Sequence, residues 1–354
     1  MTTTRRGSGV VLLAMLVAAS SALPLPLETM TNDTSAPILS VDFHALSCPN
    51  LHGMVSSAVW AARSNPHGGA QITAGLLRIF FHDCFPQGCD ASILLDGWNS
   101  EKHKIQNQGL QQQALDLIER IRGTVHDKCG ATVSCADILA LATTHAVSQS
   151  GGPWISMPMG RRDSLEPAPG WAVETLPRPD ADVNTLITSF RNKGLGGDDK
   201  GNPTDLVALS GAHTVGKARC GSFRDRIDRR SPNDQFANRL AGFCGNDDNR
   251  QQNLDVRTPD TFDNMYFEDL MKREGVLTTD QGLLFDGRTS WLVDGFAKNK
   301  GWFFGQFAKS MEKMSKLGMG QGGEIRSNCF RRNTGVQQTA AAAHDDDEGL
   351  AASA

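Results

Sequence analysis

Eight cysteines behind a secretory leader constrain this chain more than any other feature. They are Cys48, Cys84, Cys89, Cys129, Cys135, Cys220, Cys244 and Cys329. The leader is read from its order of parts: Arg5 and Arg6, a short apolar run over 10–18, and small residues over 20–22 that offer a cleavage site. That order marks a secretory signal, and the run is too short to span a membrane. An exported chain meets oxidising conditions, where an even set of cysteines defaults to disulfides. Spacing alone does not choose the pairs. A zinc site is the competing reading, and the chain contains no C-x-x-C pair to support it.

The segmentation follows: a signal over 1–22, a leader over 23–38, a folded domain over 39–330 and a low-complexity extension over 331–354. Asn32 is the usable glycosylation sequon, because Asn202 precedes Pro203. The 35 basic residues nearly balance 39 acidic ones, and loss of Arg5 and Arg6 takes the net charge from −4 to −6. A nucleic-acid binder would show a basic excess, so none is expected. No segment after the leader has the apolar length of a membrane helix, so no membrane association is expected either.

Apolar residues recur at helical spacing over 54–63, 70–81, 106–122, 134–149, 181–193, 204–210, 264–273, 288–299 and 302–317. Ser134 can cap the fourth of these. Residues 150–180 are rich in Gly and Pro and form a long ordered connection. No sustained alternating pattern is present. The fold class is mainly α, with at most short β hairpins.

Two histidine neighbourhoods carry candidate chemistry. In LLRIFFHDCFPQGCDASILL, residues 76–95, Arg78 and His82 are four apart and share a helix face. A fixed cation lowers the pKa of an imidazole and keeps it a neutral base. Asp83, Asp90 and Ser92 supply oxygens around a Gly-containing turn closed by Cys84 and Cys89, as a calcium ion requires; a solvated acidic loop is the alternative. In DLVALSGAHTVGKARC, residues 205–220, a helix breaks at Gly211 and presents His213. Thr214, Asp255, Thr258 and Asp263 could form a second oxygen site, and Asp280 could accept an imidazole N–H. The alternative is a helix end with an ordinary loop.

These blocks, with SCADILALA at 134–142, GRRDS at 160–164, LPRP at 176–179, TFDNMYF at 261–267 and GEIRSNC at 323–329, resemble the secretory plant peroxidases, the class III haem peroxidases of the horseradish type. The resemblance runs from about residue 39 to 328. It implies a haem peroxidase fold of ten or more helices in two subdomains with the haem between them. It implies one haem b and two calcium ions.

Position by position, His82 resembles the distal acid–base histidine, Arg78 the distal arginine, Phe81 the pocket aromatic and Asn107 the acceptor of the His82 N–H. His213 resembles the proximal iron ligand and Asp280 its carboxylate partner. Pro177 resembles the proline that positions aromatic donors at the haem edge. The distal calcium set would be Asp83, Pro86 carbonyl, Gly88 carbonyl, Asp90 and Ser92. The proximal set would be Thr214, Asp255, Thr258, Thr261 carbonyl and Asp263. The implied disulfides are Cys48–Cys129, Cys84–Cys89, Cys135–Cys329 and Cys220–Cys244.

The implied activity is reduction of hydrogen peroxide to water, with one-electron oxidation of phenolic or other small aromatic donors and a role in the response to oxidative stress. A monomer is expected, secreted to the cell wall or apoplast, with the vacuole as the alternative because of the extension. Phe81 replaces the distal tryptophan of the intracellular branch, and Leu254 stands where that branch has its proximal tryptophan. Three features depart from the family pattern: Trp154 sits one place early, Thr144-His145 replaces an Arg-Asp pair, and Tyr266 is the sole tyrosine. Competing functions are a haem-binding protein without turnover and a secreted metal hydrolase. Retention of Arg78, His82 and Asn107 disfavours the first, and the lack of H-E-x-x-H disfavours the second.

Overall fold

Apolar residues at helical spacing become α1 (Leu51–Arg63), which buries Leu51, Val55 and Val59, and α2 (Gln71–Cys84), which buries Leu76, Leu77, Ile79 and Phe80. The computed structural model describes residues 39–66, 68–198, 200–318 and 322–333. The signal, the leader, the Asn32 sequon and the extension beyond residue 333 lie outside the described residues.

The helix expected over 106–122 begins later and ends later. Residues Ile105–Asn107 form a 3-10 turn, and α3 spans Gln112–Cys129. Gly109 sits at φ +77°, which an α-helix does not accommodate. The Asn107 side chain is also committed to tertiary partners. The buried stripe then continues through Ile118, Ile121 and Val125, until Gly130 at φ +68° ends the helix. Each fully buried Leu or Ile there contributes about 1.5–3 kcal/mol.

The Ser134 cap is borne out: its Oγ accepts from Asp137 N at 3.1 Å and opens α4 (Cys135–Gln149), buried on nearly every side. The connection over 150–180 holds one short helix, α5 (Gly170–Val173). Then come α6 (Val183–Asn192), α7 (Thr204–Ser210) and a 3-10 turn, Gly211–Thr214. Strand β1 (Lys217–Arg219) pairs antiparallel with β2 (Gln251–Asn253), Lys217 opposite Asn253. Between them lie α8 (Arg224–Asp228) and α9 (Gln235–Cys244). The chain closes with α10 (Met265–Met271), α11 (Thr278–Phe285), α12 (Ser290–Lys298) and α13 (Lys300–Met314).

Helix α9 was not legible because only Phe236, Leu240 and Cys244 mark its face. Helix α11 was not, because TTDQGLLF carries Gly282 and little amphipathic contrast. The fold is mainly α, as expected. Helices α1 to α4 pack on one another; α7 and α10 to α13 form a second group, and α2 touches the 211–214 turn. One apolar core runs through both groups, with a satellite cluster around Cys220, Phe223, Phe236 and Leu240.

All eight cysteines are paired, as Cys48–Cys129, Cys84–Cys89, Cys135–Cys329 and Cys220–Cys244. These are the pairs the resemblance implied. Cys135–Cys329 closes a separation of 194 residues, a loop whose closure removes about 5 kcal/mol of unfolded-chain entropy in the simplest model. Among the described residues no helix is long and apolar enough to cross a membrane.

Candidate active site

Helix α2 shows one partly uncovered stripe, Ala74, Arg78, Phe81 and His82, on an otherwise buried cylinder. Opposite it, the 3-10 turn after α7 carries His213. The turn does not arise from a left-handed glycine: Gly211 has φ −61°. Glycine is required there because a Cβ would collide with the Phe303 ring. The expected break at Gly211 is therefore a change of winding imposed by packing.

The two imidazoles are wired alike at Nδ1 but to different partners. His82 Nδ1 donates to Asn107 Oδ1 at 2.7 Å, and Asn107 Nδ2 donates to the Glu101 carbonyl at 2.9 Å. His213 Nδ1 donates to Asp280 Oδ1 at 2.8 Å. The same oxygen accepts from Tyr266 Oη at 2.9 Å. Each histidine is left with Nε2 free.

The electrostatics differ. Burial lowers the His82 pKa from 6.5 to about 3; the Arg78 charge adds to the fall and the Asn107 hydrogen bond opposes it. The lead cause is thus burial rather than the Arg78 cation to which the spacing pointed. At His213, burial pulls the pKa down, but the charge and hydrogen bond of Asp280 outweigh it, and the net shift is upward. Arg78 lowers His213 as well, so one guanidinium acts on both rings across the space between α2 and the turn.

Arg78 is anchored rather than loose. Nη1 donates to Gly109 O at 3.1 Å, and Nη2 to Gln106 O and Gln108 O at 3.2 and 3.0 Å. A guanidinium has five N–H donors, so Nε and one Nη1 hydrogen stay available. Phe81 packs on Phe85 and Phe190, at centroid distances of 4.9 and 6.3 Å. Pro177 lies half-buried in a loop tied to α11 through Thr279 N and Pro179 O at 3.2 Å, next to Asp280.

In both expected calcium sets the carboxylate and hydroxyl members lie close to one another. Asp83 is buried and accepts from Ala91 N at 2.9 Å and Ile93 N at 3.4 Å. Burial and the neighbouring Asp90 and Glu101 hold its carboxyl well above the usual range. Ser92 Oγ and Glu101 Oε2 are buried without a partner. The Pro86 carbonyl accepts from the Lys193 ammonium. Gly88, at φ +142°, faces the backbone of Gly318. In the second set Thr214 Oγ1 donates to Asp255 at 3.1 Å and Asp263 at 3.3 Å, and Thr258 Oγ1 to Asp263 at 3.1 Å. Thr261 closes the turn through its N–H to Thr258 O. Neither set gathers three His, Cys, Asp or Glu side chains, and no such group exists among the described residues.

Orphaned buried oxygens beside an acid-rich pocket fit a hard cation. A free Nε2 on a carboxylate-bound histidine, facing an uncovered helix stripe, fits a haem iron. Glu101, Lys193 and Tyr266 were not recognised as contributors. The sole tyrosine was the available signal for Tyr266. Glu101 and Lys193 act through backbone carbonyls that spacing does not reveal.

A family profile described as Peroxidase matches residues 55–299. Peroxidase 12 from Arabidopsis thaliana is 43% identical over 337 residues, covering 91% of this chain and 91% of that protein. Cationic peroxidase SPC4 from Sorghum bicolor is 45% identical over 311 residues, covering 84% and 83%. Peroxidase 2 from Oryza sativa subsp. japonica is 38% identical over 327 residues, covering 90% and 100%.

Proposed function

This chain belongs to the plant peroxidase family and is an oxidoreductase that uses hydrogen peroxide, and from that premise we propose that His82 and Arg78 cleave peroxide above a haem b held by His213. The observation that carries this reading is the matched engagement of Nδ1 on His82 and His213, which leaves Nε2 free on both, on two elements that touch.

Bound haem supplies the redox-active iron through which peroxide receives two electrons and donors return them singly. His82, neutral because it is buried, takes the proton of one peroxide oxygen and gives it to the other, which leaves as water. The free N–H groups of Arg78 stabilise the negative charge on that departing oxygen. Asn107 fixes the His82 tautomer with its basic lone pair on Nε2. Asp280 strengthens His213 as a ligand by accepting its Nδ1 proton.

The donors are small phenols that approach beside Pro177 and Phe81. Two calcium ions brace the site, one at Asp83, Pro86, Gly88, Asp90 and Ser92, the other at Thr214, Asp255, Thr258, Thr261 and Asp263. Asp83 follows His82 directly and Thr214 follows His213, so each ion steadies the backbone that aims an imidazole. The chain acts as a monomer, exported by residues 1–22; the domain limits at 39 and 330 belong to the same reading. The alternative destination, the vacuole, rests on the extension over 331–354.

The test is optical and kinetic. The purified chain should carry an intense near-ultraviolet haem band and oxidise guaiacol in the presence of peroxide. A colourless protein with hydrolase activity would overturn the proposal, and so would a haem protein without turnover.

A further inference from the structure

All six tryptophans lie at the surface, but only one pair connects to the site. Trp60, Trp98 and Trp171 stack on no other ring among the described residues. Trp154 meets His52 and His145 alone. Trp302 and Trp291 are different. From His213 the rings run to Tyr266 at 6.1 Å, Phe267 at 4.9 Å, Phe296 at 5.2 Å, Trp302 at 4.9 Å and Trp291 at 6.2 Å. The inner three are sealed, Tyr266 at 1% and both phenylalanines at 0% exposure, whereas Trp302 and Trp291 are 40% and 43% exposed.

Core packing accounts for the phenylalanines. It does not require an indole to be seated half in water at the end of the series. Trp302 is seated: it lies against Gly295 of α12, where a Cβ would collide with its six-membered ring. Its backbone N–H is held by Asn299 Oδ1 at 2.9 Å. Tyr266, the sole tyrosine, lies edge-on to His213.

We propose that Trp302, with Trp291 beside it, is a second electron-entry site for bulky aromatic donors that cannot reach Pro177 and Phe81. The site rests on the peroxidase reading above. Exposed indoles offer aromatic donors an edge or face on which to stack. Hydrogen peroxide takes two electrons and two protons on its way to two waters, and each donor supplies one electron. For one such electron, Tyr266 is oxidised first, and its Oη proton passes to Asp280 Oδ1, to which it is already hydrogen-bonded at 2.9 Å. Trp302 reduces Tyr266 across Phe267 and Phe296, which act as a bridge and are not themselves oxidised; the proton returns to Tyr266. The stacked phenolic donor then gives one electron to Trp302, releases its hydroxyl proton to solvent, where it makes up one of the two protons that peroxide consumes, and leaves as a phenoxyl radical.

The test uses the haem-loaded, full-length protein. A phenol is coupled by one amide bond to a dextran too large for the slot, with free guaiacol as the control. Peroxide is also added in the presence of 2-methyl-2-nitrosopropane, and trapped radicals are located by peptide mass spectrometry. Adducts on Trp302 or Trp291 are expected. Trp302→Phe should abolish the Trp302 adduct and slow the dextran-linked donor about tenfold or more, while guaiacol stays within about twofold. Trp291→Phe should slow the same donor by a smaller factor. Wild type with no adduct at either indole, or a Trp302→Phe variant with an unchanged dextran-linked rate, overturns the proposal. A wild type unable to oxidise guaiacol overturns the peroxidase reading itself and is distinguished by that control.

Discussion

His82 and His213 are the same residue placed in two opposite environments a short gap apart. Both are partly buried, and burial alone lowers an imidazole pKa. At His82 the Nδ1 partner is the uncharged amide of Asn107, so burial wins and the ring stays neutral. At His213 the partner is the carboxylate of Asp280, so the charge wins and the ring is pulled upward. The difference teaches that the group behind Nδ1, more than depth, decides whether a histidine serves as a mobile base or a fixed ligand.

The comparison is broken most severely at the ligand. His213→Ala should lose haem or hold it loosely, read from the ratio of haem absorbance to protein, and added imidazole should partly restore the band. Tight haem with full activity in this variant would contradict the assignment. A milder change makes the two partners alike. Asp280→Asn should keep the hydrogen bond and remove the charge, lowering peroxidase turnover about 10- to 100-fold. An unchanged rate would show that the charge behind His213 is irrelevant.

The proposed calcium ions would act on both sides at once. An ion bound only by the folded chain stabilises it by about 2.7 kcal/mol at a hundredfold excess over its dissociation constant. A chelated sample, verified as calcium-free, should melt lower and turn over guaiacol more slowly. Equal melting and activity would mean that Asp83 and Asp255 merely line solvated turns.

The smallest effect is on stability against pH, and its sign differs between the rings. His82 is depressed from 6.5 to about 3, so its contribution is present above pH 6.5 and is lost as pH falls toward 3. His213 is raised, so its contribution is full below pH 6.5 and is lost as pH climbs through the folded value. Urea midpoints of haem-free wild type, His82→Ala and His213→Ala across pH should show the two slopes vanish separately. A common slope in both variants would dissolve the contrast.

Much of this was legible in the sequence, for identifiable reasons. Arg78 and His82 share a face through helical spacing, and Ser134 announced its helix by position. The disulfide pairs needed the resemblance, because spacing admits many pairings. Other features required packing. Gly109 and the tertiary bonds of Asn107 erased the start of an expected helix. Gly211 is set by the Phe303 ring, which lies far along the chain. The pKa of His82 follows burial that no local spacing encodes.

The central claim, that neutral His82 is the base of peroxide cleavage while His213 only holds the iron, is tested most directly by mixing peroxide with haem-loaded His82→Ala in a stopped-flow spectrometer. The account predicts unchanged haem content and a reaction slower by about 10,000-fold, since both proton transfers lose their carrier. A near-normal rate in that variant would contradict it.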